Sequence, residues 1–250
     1  MCTVTFFPKN DNSWLLSTNR DEMKSRPKAL PPSVFQAGNL HYLAPVDAKA
    51  GGTWVGMNSS GLCLTLINNY QGENPMLNHR DEAVSRGLII PELMEFTRMD
   101  DVHAAMRKLR VAAYNPFKLI GIQSGPLEIR EWSWDGHNFL SDTLPVQPHI
   151  WVSTGKDYDG VFRNRKAVFD TFLKNHPQPG TEEVRKLHAS RYPEPGAYSI
   201  AMELDLVSTV SNTMAISDKG SQSMLYHDGI PRESGIWVAA ELTTTGTKDK

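Results

Sequence analysis

Cys2 directly follows the initiator methionine, and the chain holds only one other cysteine, Cys63. Methionine removal acts where the second residue is small, and cysteine qualifies. The expected mature chain then carries a free α-amine and a thiol on one residue. An unperturbed α-amine titrates near ~8 and a thiol near ~8.5. The amine can take the thiol proton at neutral pH and later return it to a leaving group. The plain alternative is a small apolar residue on a first strand. Position alone leaves both open.

Two further polar groups follow apolar runs. Asn19-Arg20-Asp21-Glu22 comes directly after Trp14-Leu15-Leu16-Ser17-Thr18. Locally this reads either as a solvated turn, with Asp21 capping a helical turn, or as part of a site. If the first two apolar runs pair as a hairpin, Arg20 and Asp21 become neighbours of Cys2. A carboxylate there can orient an α-ammonium, and a guanidinium can favour thiolate or hold a substrate carboxylate. Asn68 and Asn69 end another apolar run. An amide donor aimed at a developing oxyanion lowers an acyl-transfer barrier by ~3 kcal/mol; a strand-terminal turn is the alternative.

Other chemistries find no support. The eight histidines, His227 among them, show no metal spacing. There is no Walker loop, no dinucleotide-binding glycine pattern and no Gly-x-Ser-x-Gly elbow. The net charge of −2 argues against a nucleic-acid binder. Two cysteines make no disulfide framework and suit a reducing compartment. Residues 1–7 are too short for a targeting signal and no apolar run approaches a membrane span, so a cytoplasmic location is expected.

These residues need elements to position them. Residues 2–7 and 14–18 are expected as a hairpin, with residues 27–32 a proline-rich loop. Strands are expected at 53–57 and 62–68 around the turn Asn58-Ser59-Ser60-Gly61. Residues 82–98 and 102–109 read as helices, the first kinked or restarted at Pro91. Strands follow at 117–122, 127–134 and 150–153. Apolar pairs at helical spacing place the clearest helix at 161–174, with another at 181–188. Strands at 204–207, 213–217, 223–227 and 235–240 complete the order. Blocks of hairpins and helices predict an α+β layered single domain over residues 1–242, with 243–250 a flexible tail.

Four motifs in order carry a resemblance: Met1-Cys2-Thr3; Asn19-Arg20-Asp21-Glu22-Met23 with Ser25-Arg26-Pro27; Gly51-Gly52-Thr53-Trp54-Val55-Gly56; and Asn68-Asn69-Tyr70. Together they resemble the NRDE family of transport-and-Golgi-organisation protein 2 homologues. That family is similar to cysteine N-terminal-nucleophile (Ntn) hydrolases such as penicillin V acylase and bile salt hydrolase. The resemblance implies a four-layer αββα sandwich of two antiparallel sheets. It implies an amidohydrolase acting on a small amide or acyl compound, with Cys2, Asp21, Asn68 and Arg20 catalytic and Asn19, Asn69, Trp54 and Thr154 on the substrate side. It also allows a non-catalytic protein handling haem or acyl-CoA and lipid, where Cys2 or His227 would touch a cofactor; hydrolysis itself needs none. Thr18 stands where the acylases have an arginine, Ser153-Thr154 where they have a second oxyanion asparagine, and residues 208–212, where their late active-site arginine would fall, hold no arginine.

Overall fold

The first strand is buried on both faces, and its alternation sorts its side chains between two cores. In β1 (Cys2–Pro8), Val4 and Phe6 point into one apolar cluster and Phe7 into another. A computed structural model describes residues 2–9, 12–71, 80–231 and 235–242. The tail expected at 243–250 lies outside the described residues.

β1 pairs antiparallel with β2 (Trp14–Met23) and β10 (His149–Ser153). β2 continues onto β11 (Val207–Asp218), β12 (Ser221–Asp228) and β13 (Trp237–Leu242), giving a six-stranded sheet of order β10-β1-β2-β11-β12-β13. The second sheet has seven strands in chain order. These are β3 (Leu30–Ala37), β4 (Leu40–Val46), β5 (Val55–Asn58), β6 (Leu62–Asn68), β7 (Phe117–Gln123), β8 (Glu128–Trp134) and β9 (Phe139–Leu144).

Three apolar clusters set the layers. Val4, Phe6, Leu16, Ala215 and Met224 of the first sheet meet Leu43, Met57, Cys63 and Ile120 of the second. Behind the seven-stranded sheet lie α1 (Ile89–Leu93) and α2 (Met99–Lys108), which bury Ile90, Leu93, Val102 and Met106 against Leu64, Leu119 and Trp132. Behind the six-stranded sheet lie α3 (Tyr158–Asn175) and α4 (Thr181–His188), which bury Val161, Phe169, Val184 and Leu187 against Phe7, Leu15 and Val152. The protein is an αββα sandwich of two antiparallel sheets. Among the described residues no helix is long and apolar enough to cross a membrane.

The structure corrects several expected elements. β2 runs through Met23, so Asn19-Arg20-Asp21-Glu22 is strand and not a turn. Residues 27–32 are not all loop: Leu30, Pro31 and Pro32 open β3, an edge strand with an irregular register between Leu30 and Ser33. An edge strand tolerates proline because one side of its ladder is unpaired. The helix expected over 82–98 shrinks to a 3₁₀ turn at Arg86–Leu88 and the short α1. Residues 204–206 are not strand; β11 starts at Val207. β4 and β9 were not expected at all.

Candidate active site

Register explains the Asn-Arg-Asp-Glu run. Cys2 lies directly across from Arg20, and Thr3 across from Asn19. Directly paired residues share a face, and neighbours along a strand do not. Arg20 and Glu22 therefore face the side on which Cys2 lies, while Asn19 and Asp21 face the helix layer. On the Cys2 side a cleft of about 520 Å³ opens, lined by Cys2, Trp54, Asn68, Tyr70 and Arg86 among others. Arg20 and Asp21 also border it.

Arg20 stacks on the Trp54 ring at 4.8 Å and pairs with Asp47. Arg26 grips the same carboxylate, Nε to Oδ2 at 2.8 Å and Nη2 to Oδ1 at 3.1 Å. The backbone amides of Lys49 and Ala50 donate to Asp47 Oδ1. Burial works against the Asp47 carboxylate, yet these contacts hold its pKa below the usual range. The charge of Arg20 is thus largely committed to Asp47, and its influence on Cys2 is the weakest of those acting on the thiol.

Behind the sheet lies a buried polar layer. The Asp21 side chain is fully buried and accepts from Thr209 Oγ1 at 2.6 Å. Arg165, on α3 and also fully buried, sits 3.8 Å from Asp21 Oδ2. It donates to Thr3 Oγ1 at 2.5 Å and to the Ala197 carbonyl at 2.9 Å. Burial raises the Asp21 pKa, while Arg165 and the Thr209 hydroxyl oppose the rise. The Cys2 thiol is raised too, by burial first and with Asp21's charge adding to it; a hydrogen bond from the Asp21 backbone amide favours the thiolate. A thiol raised in this way needs a local base to become a nucleophile.

His188 closes the same layer, its Nε2 2.7 Å from Thr5 Oγ1. Burial, with the Arg165 charge adding, pushes its pKa down from 6.5 to about 3. The unfolded histidine gains its proton below 6.5 and the folded one does not until about 3, so His188's contribution is complete above 6.5 and lost as pH falls through that window. At pH 5 the loss is about 2 kcal/mol. Asp21, raised above 3.8, acts with the opposite sign. The expected result is a urea midpoint that falls from pH 7 to pH 5 in the wild type and falls less in His188→Gln; equal slopes would contradict it.

Three expected substrate-side residues do not line the cleft. Asn19 is fully buried in the polar layer, donating to the carbonyls of His188 at 2.9 Å and Ile200 at 3.1 Å. Asn69 donates to Ser133 Oγ and the Trp134 carbonyl, both at 3.2 Å. Thr154 forms a turn with Lys156, its hydroxyl donating to that carbonyl at 3.0 Å. Ser153, across from Cys2 on β10, carries a buried hydroxyl with no hydrogen-bond partner among the described residues. His227 lies away from the cleft, its ring stacked on Trp237 and its nitrogens 2.9 Å and 3.1 Å from the Ile236 and Ile230 carbonyls. Val210, within the stretch that lacks an arginine, falls at an irregularity in the β2–β11 pairing. Among the described residues no cluster of histidine, cysteine or acidic side chains could hold a metal ion.

Arg165, His188 and Arg86 were missed from sequence. Arg86 reaches the cleft because its turn packs on the Gly51-Gly52-Thr53 loop. Thr53 N–H donates to the Gly87 carbonyl at 2.9 Å, and a Cβ at Gly52 would lie 2.5 Å from the Gly87 carbonyl carbon. Gly52→Ala must push backbone from backbone, and we expect a cost of about 1–3 kcal/mol in urea denaturation. A wild-type midpoint for this variant would show that the contact yields.

A sequence model of the transport and Golgi organisation 2 family matches residues 1–150. The chain belongs to that family. The human transport and Golgi organization protein 2 homolog is 31% identical over 131 residues, 48% of this chain and 44% of its own length. The aligned part thus spans less than half of that relative. Among solved structures, an ortholog of N-acylethanolamine-hydrolyzing acid amidase from Caenorhabditis elegans superposes with a TM-score of 0.59 at 12% identity, covering 85% of this chain and 92% of its own. A mutant of the conjugated bile acid hydrolase from Clostridium perfringens gives 0.57 at 11%, covering 97% and 92%. These similarities show that this member of the transport and Golgi organisation 2 family has the fold of Ntn hydrolases.

Proposed function

We propose that this protein is an N-terminal-cysteine amidohydrolase acting on a small amide or acyl compound, active once Met1 is removed. The observation that carries the reading is the shared cleft: Cys2, Asp21 and Asn68 border one cavity of about 520 Å³. In this account the Cys2 α-amine takes the thiol proton and the sulfur attacks the substrate carbonyl. Asn68, whose amide donates to the Tyr70 hydroxyl at 2.8 Å, turns to the developing oxyanion. The C–N bond breaks as the amine returns the proton to the leaving nitrogen. Water, deprotonated by the same amine, then cleaves the thioester and releases the acid. Asp21, held by Thr209 and Arg165, orients the α-ammonium from behind.

The rival reading is a binding protein for haem or for acyl-CoA and lipid on the same fold. The raised Cys2 thiol and the absence of an arginine at residues 208–212 favour it. One preparation tests both. Amine release from a panel of N-acyl amides, absent in Cys2→Ala, supports hydrolysis. No release, together with a Soret shift on haem addition that Cys2→Ala removes, would replace it with the haem version.

A further inference from the structure

Arg86 is a half-buried guanidinium in the cleft that holds Cys2. Its Nη1 donates to the Pro116 carbonyl at 2.8 Å, and the same carbonyl accepts from the Asn69 backbone amide. That shared acceptor ties Arg86 to the end of β6, beside Asn68. Among the described residues no carboxylate forms an ion pair with it; Glu22, the acid that acts on it, is engaged with Arg20 and Arg26. Two more cations on the rim have no carboxylate partner among the described residues: Arg80 gives Nη2 to the Ala112 and Tyr114 carbonyls, and Lys49 extends into solvent. The contrast with Arg20 and Arg26 is direct, because those two share Asp47. Partly removing a guanidinium from water without an anion beside it is unfavourable. A fold that holds Arg86 in this way leaves its compensation to whatever enters the cleft. Burial lowers the Arg86 pKa while Tyr70, Cys2 and Glu22 oppose the drop, so the thiol and the guanidinium lie within electrostatic reach of each other.

We infer that Arg86 is a specificity-determining residue that binds an oxyanion of the ligand, a carboxylate or phosphate, placed a few atoms from the carbon that Cys2 attacks. The inference rests on Cys2 as the nucleophile for its substrate geometry, but not for the anion site itself. The planar guanidinium suits two-pronged contact with either group. The substrate class is then an acyl compound with an acidic group near the scissile bond, not a neutral amide.

Alkylation tests this without turnover. Cys2 in the intact chain is treated with iodoacetate and with iodoacetamide, reagents that differ mainly in charge. The adduct is located by peptide mass spectrometry, and glutathione in parallel gives the intrinsic rate ratio. Cys63 is fully buried and serves as the silent thiol. The iodoacetate-to-iodoacetamide ratio at Cys2 is expected to exceed that of glutathione by about tenfold, the scale of one partly screened charge contact. Arg86→Gln should return it to the glutathione value and Arg86→Lys should keep most of it. Acetate and inorganic phosphate, added separately as competitors, tell which oxyanion fits better. A ratio equal to that of glutathione and unmoved in Arg86→Gln overturns the inference. Should neither reagent label Cys2, the nucleophile reading fails and a melting measurement decides the anion site. A phosphate- or acetate-dependent rise in the wild type and not in Arg86→Gln upholds the site; no rise with either overturns it.

Discussion

Cys2→Ala is expected to abolish amide turnover, with a loss on the order of 10⁵-fold or more, the scale reached when an enzyme loses its nucleophile. The fold should survive. Cys2 packs only at the margin of the inter-sheet cluster, so the change in stability should stay within about 1 kcal/mol. A second variant separates the thiol from the amine. A chain with an uncleaved N-terminal extension keeps the Cys2 sulfur but turns its amine into a peptide nitrogen. The thiol, raised by burial and by Asp21, then lacks its base. We expect a loss of about 10²–10⁴-fold, the range of a general base. Full activity with the extension in place would place the base elsewhere. Kinetics on a C-terminally tagged chain, with and without the extension, make the comparison.

The largest stability effects are expected at Arg165 and Asp21. Both side chains are fully buried, 3.8 Å apart. Removing one partner leaves the other as an uncompensated charge in low dielectric. Arg165→Met is therefore expected to cost about 3–5 kcal/mol. Asp21→Asn should cost at least as much, because it leaves the buried Arg165 guanidinium, which cannot shed its proton, whereas the Asp21 carboxyl left by Arg165→Met has a raised pKa and can neutralise itself. The double variant should recover part of the loss, since no unpaired charge remains. Urea denaturation of the four chains measures the coupling. An Arg165→Met midpoint near the wild type would mean that Thr3, Thr209 and Ala197 hold the layer without the charge. Activity adds a second readout. Asp21→Asn should lose turnover even where it remains folded, because the α-ammonium loses its acceptor.

The sequence carried much of the fold because its strands are strongly apolar and its hairpins well marked. Residues 62–68 and 181–188 fall on β6 and α4 as expected. The ordered motifs pointed to the family and through it to the sandwich. Where the reading failed, the cause is tertiary. The helix expected over 82–98 had the right apolar residues, but Gly87 must meet Gly52 backbone to backbone, which leaves room only for a 3₁₀ turn and α1. β3 carries two prolines directly after its first residue, Leu30, and shows little apolar alternation, so its strand character comes from its place at a sheet edge. Asn19 was expected beside the substrate, although strand alternation puts it on the face opposite Arg20, where its amide is taken by the His188 and Ile200 carbonyls. That signal was readable once residues 19–22 were taken as strand. Arg165 and His188 carried no such signal. Their partners Thr3 and Thr5 lie 162 and 183 residues away, and a lone arginine or histidine on an amphipathic helix reads as surface. Arg86 was hidden in the same way, in a segment whose turn is set by a distant glycine.

Whether one residue supplies both nucleophile and base can be read with 2-cyanobenzothiazole. This reagent forms a stable ring only where a free amine and a thiol sit on the same residue. The protein, expressed without an N-terminal extension, is treated with it and digested, and the N-terminal peptide is weighed. The expected product is a peptide that lacks Met1 and carries the cyclised adduct at Cys2. A peptide that retains Met1 and carries no adduct would contradict it.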